Sequence, residues 1–253
     1  MTPVFAALVA LACTIGGALV GMLLRARLPE HHFDADSKDV VKLVMGLIAT
    51  ISALVLGLLI ASAQSAFSQQ GSDLQKVAAD LIQLDRLLGM YGAETRESRD
   101  LLRQGVIAIH RQTWTEGGIR TEKLEASVHS TGFFQVLQKL APATDTQRFI
   151  QAQVFQLSAD IDKMKLLMFE RAHGSISWPF LVVLVLWIST LFLGFGLFAP
   201  LHTTIVVAFL VGALSVSAAI FLILELSQPY SGVITLSDEP FRDALAHIGR
   251  SGQ

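Results

Sequence analysis

Cysteine, charged residues and, over a long central stretch, proline are scarce in this sequence of 253 residues. Cys13 is the single cysteine, so neither a disulfide within the chain nor a cysteine-based zinc site can form. Charged residues make up only 16% of the chain, and 19 basic against 21 acidic side chains give a net charge of −2. Without a basic patch or a run of like charge, the sequence argues against nucleic acid as a partner.

Apolar residues are abundant instead, at 52% of the chain, which is typical of a membrane protein. A bilayer core takes about 20 apolar residues in helical form. Four uncharged segments reach that length: Pro3–Leu24, Leu43–Ala63, Trp178–Phe198 and Ile205–Leu224. The first has no basic stretch before it and no obvious cleavage site before Arg25, so we interpret it as a retained span rather than a signal peptide. The sequence therefore predicts an all-α membrane protein with four transmembrane helices in two pairs.

The region between the two pairs has helical patterning. No proline occurs between Pro29 and Pro142, so the second span can continue as one helix out of the membrane. Thr144 and Gln147 form a capping box at the start of another long helix. The apolar residues of that helix recur with spacings of four and three, as in a coiled-coil seam: Ile150, Val154, Leu157, Ile161, Met164 and Met168.

These patterns divide the chain into four parts. Residues 1–63 hold the first helix pair with a charged loop at 25–42, and residues 64–177 form a helical extramembrane domain continuous with spans two and three. The second pair occupies residues 178–224. Residues 225–253 form a C-terminal tail with a short helix, for which Ser237 is the expected N-cap.

The orientation follows from the basic residues near the spans. Four spans place both termini and the middle domain on one side and the two short loops on the other. The loop at 25–42 carries Arg25, Arg27, Lys38 and Lys42, whereas no Lys or Arg precedes the first span. The rule that basic loops stay in the cytoplasm therefore predicts a cytoplasmic loop, with the helical domain on the opposite side.

Span two carries small residues at a spacing of four, which places them along one face of the helix: Ala49, Ala53, Gly57, Ala61 and Ser65. Small residues let helices approach closely in lipid, and this is one interpretation of the pattern. The other is that this region faces an oligomer axis and lines a pore with an apolar constriction. The candidate lining residues are Thr50, Ser52, Gly57, Ser62 and Gln64.

A second group of candidates lies at the end of span four, where an acid follows the apolar run. An acidic residue at membrane depth is costly, so Glu225 has either a functional role or only a place among the headgroups. The remaining span-end candidates are Gln228, Pro229, Tyr230 and Gly232. The histidines lack metal-ligand spacing, and no nucleophile elbow, P-loop or dinucleotide motif is present. We expect no metal, no cofactor and no enzymatic activity.

Two stretches resemble a known family: Ala53–Phe67, and the ending in which Glu225–Gly232 is followed by Pro240–Leu245. They are similar to the bacterial bestrophin-like domain family, a family of unknown function that is distantly similar to the pentameric bestrophin chloride channels. Gln228 and Tyr230 stand where the family pattern has an acid and a phenylalanine, and Ala66 replaces a basic residue of bestrophins.

The resemblance implies a multi-pass protein of the bacterial inner membrane, a homo-oligomer, pentameric in bestrophins, and small ions as ligands. Bestrophins hold their helical domain in the cytoplasm, which is opposite to the charge count. Two hypotheses remain, an oligomeric channel of unknown ion selectivity and a membrane-anchored interaction or sensing module without transport.

Overall fold

A computed structural model describes residues 2–27, 35–115, 129–173, 178–199, 202–230 and 232–248. Within these ranges the regular structure is helical throughout. The helices are α1 (Pro3–Arg27), α2 (Ala35–Tyr91), α3 (Arg96–His110), α4 (His129–Gln138), α5 (Asp145–His173), α6 (Trp178–Phe198), α7 (Thr203–Leu226) and α8 (Glu239–His247). A 3-10 turn at Ala93–Thr95 precedes α3, and a π-helical turn at Arg111–Thr115 follows it. The predicted fold class is confirmed.

Four of these helices are long and apolar enough to cross a membrane: Pro3–Arg27, Lys38–Tyr91, Trp178–Phe198 and Thr203–Leu226. They contain the four predicted spans. Helices are the expected form here, because every backbone N–H and C=O in the hydrocarbon core needs a partner within the chain. The predicted loop at 25–42 is helical at both ends, at 25–27 and at 35–42. Residues 28–34 lie outside the described residues.

The chain divides into two compact units. The first, here called the membrane unit, comprises Met1–Ala66 and Ser175–Ser227; the second, here called the helical unit, comprises Phe67–Gly174 and Gln228–Gln253. Helix α2 contributes to both, since its 57 residues run without a break from Ala35 to Tyr91. The C-terminal tail after Ser227 falls in the helical unit. Residues 174–177, between α5 and α6, lie outside the described residues.

In the membrane unit, α1 packs against α6 and α7. Glycines allow the close approach of α1 and α6: a Cβ at Gly17 would lie 2.5 Å from the Ser189 carbonyl oxygen, and a Cβ at Gly196 would collide with the Ala18 carbonyl. Met45 of α2 packs on Gly194 of α6 in the same way. No hydrophobic effect drives helices together in lipid, so close packing through small residues holds these helices together instead.

The core of the helical unit is built from the predicted periodic positions. On α5, Ile150, Val154, Ile161 and Met168 are buried, with Leu157 and Met164 partly buried beside them. The capping residues of α5 also bond, because Thr144 Oγ1 accepts a hydrogen bond from the Gln147 backbone N–H at 3.1 Å. The Gln147 side chain accepts from the Ala143 backbone N–H at 2.9 Å, one residue before the expected Thr144.

Helix α2 ends at Tyr91 because Gly92 has a φ of +136°, a conformation that side-chain-bearing residues rarely adopt. Thr95, which is fully buried, donates its hydroxyl to the Gly92 carbonyl at 2.8 Å and also bonds the Leu88 carbonyl. These bonds satisfy acceptors that the helix end leaves open. Gly92 and Thr95 therefore turn the chain from α2 into α3.

Candidate functional site

The exposed surface of α2 in the membrane unit carries a line of small and polar residues. Gly46 and Gln64 are 18 residues apart, which is five helical turns, so they point in the same direction. Thr50 and Gly57 lie on the same side within about 40°, at 100° per residue, and all four residues are exposed. A Cβ at Gly46 or Gly57 would meet nothing within 4 Å. We call these four residues and Ala53 the small stripe.

The small stripe contrasts with the neighbouring surface of α2, which exposes large apolar side chains that suit lipid: Leu43, Val44, Leu47, Ile51, Leu54 and Leu58. Thr50 donates its hydroxyl to the Gly46 carbonyl at 2.8 Å, which keeps its polar group within the helix. Lipid-facing helices normally expose large apolar residues, so a smooth line of glycine and alanine is a surface that another helix can approach closely.

The five predicted lining residues do not share one face. Thr50, Gly57 and Gln64 belong to the small stripe, whereas Ser52 and Ser62 each stand about 140° away from Gly57 in opposite directions. Ser52 is only 4% exposed, and its hydroxyl has no hydrogen-bond partner among the described residues. Ser62 is exposed on the side of the large apolar residues. Of the predicted spacing-four row, Ala53 and Gly57 belong to the small stripe, whereas Ser52 and Ser62 lie outside it.

Polar groups are few inside the membrane unit. The buried ones among its described residues are Thr14, Ser52, Ser217 and Glu225. Thr14 bonds the Ala10 carbonyl of its own helix, and Ser217 donates to the Ala7 carbonyl at 2.8 Å, which joins α7 to α1. Thr14 and Ser217 thus each bond one backbone carbonyl, and Ser52 has no hydrogen-bond partner among the described residues, so these three groups form no continuous polar path.

The span-end candidates fall in different surroundings. Glu225 is 2% exposed at the end of α7 in the membrane unit. In the helical unit, the Pro229 carbonyl accepts a hydrogen bond from the Leu236 N–H at 2.8 Å, which closes a loop containing Gly232. Gly232 has a φ of +111°, so a glycine is needed there. Gln228 is partly buried, and Tyr230 is buried. The motif after Glu225 therefore builds a turn.

Trp114, which the sequence did not indicate, organises the packing around this turn. Its indole N–H donates to the Leu236 carbonyl at 2.9 Å. Its ring packs against Tyr230 edge-on at 6.5 Å between centroids and against Phe241 at 5.5 Å. His110 stacks on the other side at 5.4 Å. The signal in the sequence was weak, because more than a hundred residues separate Trp114 from Tyr230, Leu236 and Phe241.

His110 also ties α3 to the start of α8. Its Nε2 lies 3.0 Å from Asp238 Oδ2, and this hydrogen bond is the main reason that the pKa of the Asp238 carboxyl is below its usual range. Asp238, not the expected Ser237, is the N-cap residue of α8, although the Ser237 hydroxyl does accept from the Glu239 N–H at 3.2 Å. The predicted capping bond of Ser237 is therefore present, although the helix boundary falls one residue later. Because the folded pKa is lowered, this contact stabilises the fold above the usual pKa of an aspartate and is lost in acid.

Burial, with a smaller effect of the Asp73 charge, raises the pKa of the Tyr230 phenol. The Tyr230 hydroxyl has no hydrogen-bond partner among the described residues. We therefore expect Tyr230→Phe, which removes only this hydroxyl, to leave the thermal unfolding midpoint unchanged or to raise it. An unsatisfied buried hydroxyl costs roughly 1–3 kcal/mol.

The matched control is Trp114→Phe, which keeps an aromatic ring but leaves the Leu236 carbonyl without its donor. This variant should lower the midpoint of the full-length protein in detergent. Equal losses in the two variants would contradict the view that the Tyr230 hydroxyl is dispensable.

In the described part of the chain, no three His, Cys, Asp or Glu side chains converge as metal ligands would. Residues 12–241 match the family model of the bestrophin-like domain. No curated protein and no solved structure matches the chain. Since the matched residues cover most of the sequence, from within α1 to within α8, the chain belongs to the bestrophin-like domain family.

Proposed function

We propose that this membrane protein is an oligomeric channel or pore in which copies of α2 meet along the small stripe. The observation that carries this proposal is the exposure of Gly46, Thr50, Gly57 and Gln64 on one line of a membrane helix. A groove of glycine and alanine forgoes contact with lipid chains, and this cost is removed when a second copy covers the stripe.

Conduction requires several copies, because the described residues of one membrane unit hold no continuous polar path. Around a symmetry axis the stripes would enclose a pore lined by backbone, by the Thr50 hydroxyl and by the Gln64 amide. Span two has no charged residue between Leu43 and Ala63, so the narrow part would be apolar and would gate by dewetting. Such a lining gives small ions a passage and sets no preference for one sign of charge.

The pentamer of bestrophins is the expected assembly, and the basic residues near 25–42 favour a cytoplasmic loop in the bacterial inner membrane. We propose no enzymatic role. The pentamer rests on the resemblance to bestrophins, and the orientation rests on the count of basic residues near the spans.

The proposal predicts that Gly57→Leu reduces ion flux at least tenfold in liposomes containing purified protein. The substitution should fold, since a side chain at Gly57 meets nothing in the subunit, but it places one bulky group per copy at the axis. Flux should be followed with separate dyes for a small cation and a small anion, because the sign is not specified. Native mass spectrometry of the same sample reports the assembly.

Gly16→Leu is the matched control, because a Cβ at Gly16 in α1 also meets nothing within 4 Å. It should conduct as the unaltered protein does. The proposal is contradicted if the unaltered protein is a monomer. It is also contradicted if the Gly57→Leu and Gly16→Leu variants show equal flux.

A second function, an interaction or sensing module, is favoured by an exposed apolar pair on the helical unit. Met90 is 71% exposed and Phe149 64% exposed, and their helix ends are joined by a hydrogen bond from Gln147 Nε2 to the Tyr91 carbonyl at 3.0 Å. Exposed apolar side chains on adjoining helix ends are candidates for contact with a protein partner. Liposomes that show no flux above protein-free controls for either ion, with an oligomeric protein, would favour this function over the channel.

A further inference from the structure

A groove opens between three helices of the membrane unit, beside the turn that joins α6 to α7. It encloses about 520 Å³. Its floor on α2 is formed by Met45, Gly46 and Ala49, and its walls include Phe195 of α6 and Phe209 of α7. This volume is in the range of sites that hold small molecules, and the lining is almost wholly apolar. In a bilayer an apolar groove at this place holds a hydrocarbon chain rather than water.

The end of the groove carries positive charge. Among the described residues that line it, Lys42 is the single charged one. Lys38, one turn earlier on α2, lies on the same side of the helix, because residues four apart share a face. Asp39 is the counter-charge, with its carboxylate 3.4 Å from Lys42 Nζ. Both side chains of that pair are well exposed, so the pair holds the ammonium group only weakly.

An apolar groove with an ammonium group at its end is complementary to an anionic phospholipid. The ammonium group attracts the phosphate, and the apolar groove accommodates an acyl chain. Basic pockets between transmembrane helices are known to bind such headgroups. A zwitterionic lipid would gain the apolar contact but not the net attraction. We propose that this groove binds an anionic phospholipid, with its phosphate at Lys42 and one acyl chain along Gly46 and Ala49 between Phe195 and Phe209.

The site shares Gly46 with the small stripe, so a lipid and a second copy compete for that residue, but the site lies within one membrane unit and its test needs neither flux nor assembly. The test is lipid retention by the full-length protein in mild detergent, measured by native mass spectrometry. Phosphatidylglycerol and phosphatidylcholine with identical acyl chains are added in parallel, together with a sample given inorganic phosphate alone. The unaltered protein should retain phosphatidylglycerol in preference to phosphatidylcholine, and phosphate alone should not bind.

Two substitutions separate the headgroup from the chain. Lys42→Gln should weaken phosphatidylglycerol retention about fivefold, which corresponds to the roughly 1 kcal/mol that one basic residue contributes near anionic lipid, and should leave phosphatidylcholine unchanged. Gly46→Leu fills the groove, because a side chain there meets nothing within 4 Å, and should weaken retention of both lipids. Arg25→Gln, at the end of α1 and outside the groove lining, is the control for general attraction and should change nothing.

Several outcomes would overturn the proposal. Equal retention of the two lipids by the unaltered protein removes the role of charge. Equal weakening by Lys42→Gln and Arg25→Gln shows a diffuse attraction rather than a site. Binding of phosphate without lipid, at the affinity seen for phosphatidylglycerol, shows an anion site without a chain. If Gly46→Leu changes the oligomer mass but not the lipid retention, a second copy fills the groove in place of the lipid.

Discussion

Replacing Gly17 with alanine should destabilise the membrane unit, whereas the same replacement at the adjacent Gly16 should not. A Cβ at Gly17 would lie 2.5 Å from the Ser189 carbonyl oxygen and 3.3 Å from its carbon. These atoms belong to the backbone of α6, so they cannot move aside unless the two helices separate. Overpacking of this kind costs about 1–3 kcal/mol.

At Gly16 a Cβ meets nothing within 4 Å, and alanine is the better helix former by up to about 1 kcal/mol in water. The two variants differ by one position and by the same methyl group, which makes them a close comparison. The measurement is the thermal midpoint of the full-length protein in detergent, together with the yield of folded protein. Equal midpoints in the two variants would contradict the glycine-mediated packing of α1 on α6.

Arg99→Met should strongly destabilise the helical unit, with an expected loss of about 3–5 kcal/mol. Arg99 holds Asp85 through two hydrogen bonds, Nε to Oδ1 at 2.7 Å and Nη2 to Oδ2 at 2.9 Å. The Asp85 side chain is 2% exposed. Methionine keeps much of the packing of the arginine stem, so the expected loss comes from a buried carboxylate deprived of its guanidinium.

The control is Arg148→Met, which removes an arginine from the exposed pair with Asp145. That carboxylate is 95% exposed, and exposed pairs contribute about 0–1 kcal/mol. The double variant Asp85→Leu with Arg99→Met removes both charges and should recover part of the loss. If the double variant is no more stable than Arg99→Met alone, the loss comes from packing and not from the removal of the guanidinium beside the Asp85 carboxylate. Thermal unfolding of all four proteins in one detergent decides between these results.

The sequence was informative about features that depend on residues close to one another within a single helix. Four apolar runs of about 20 residues specify the membrane helices, and the spacing of Val154, Ile161 and Met168 identified the buried face of α5. The capping pair of Thr144 and Gln147 was also visible, because its members are three residues apart. These features depend on local periodicity and local hydrogen bonding.

What the sequence could not supply are contacts between distant segments and the facing of individual side chains. Ser52 and Ser62 looked alike as small hydroxyl residues of span two, but only packing within the subunit buries one and exposes the other. The Asp85–Arg99 pair lies among several alternating charges, and burial alone distinguishes it from the exposed ones. The bond from Trp114 to Leu236 joins residues 122 positions apart, for which a single sequence holds no signal.

The division of the chain also orders events during synthesis. The helical unit is interrupted by Ser175–Ser227, which belong to the membrane unit, and is completed only by residues after Gln228. Ribosomes add about 5–20 residues per second, so Leu236 is synthesised on the order of ten seconds after Trp114. During that interval the last two spans are made and can insert, while the binding surface for the C-terminal segment stays uncovered. A nascent chain stalled before Leu236 should therefore expose Trp114 to quenchers, and the finished chain should protect it.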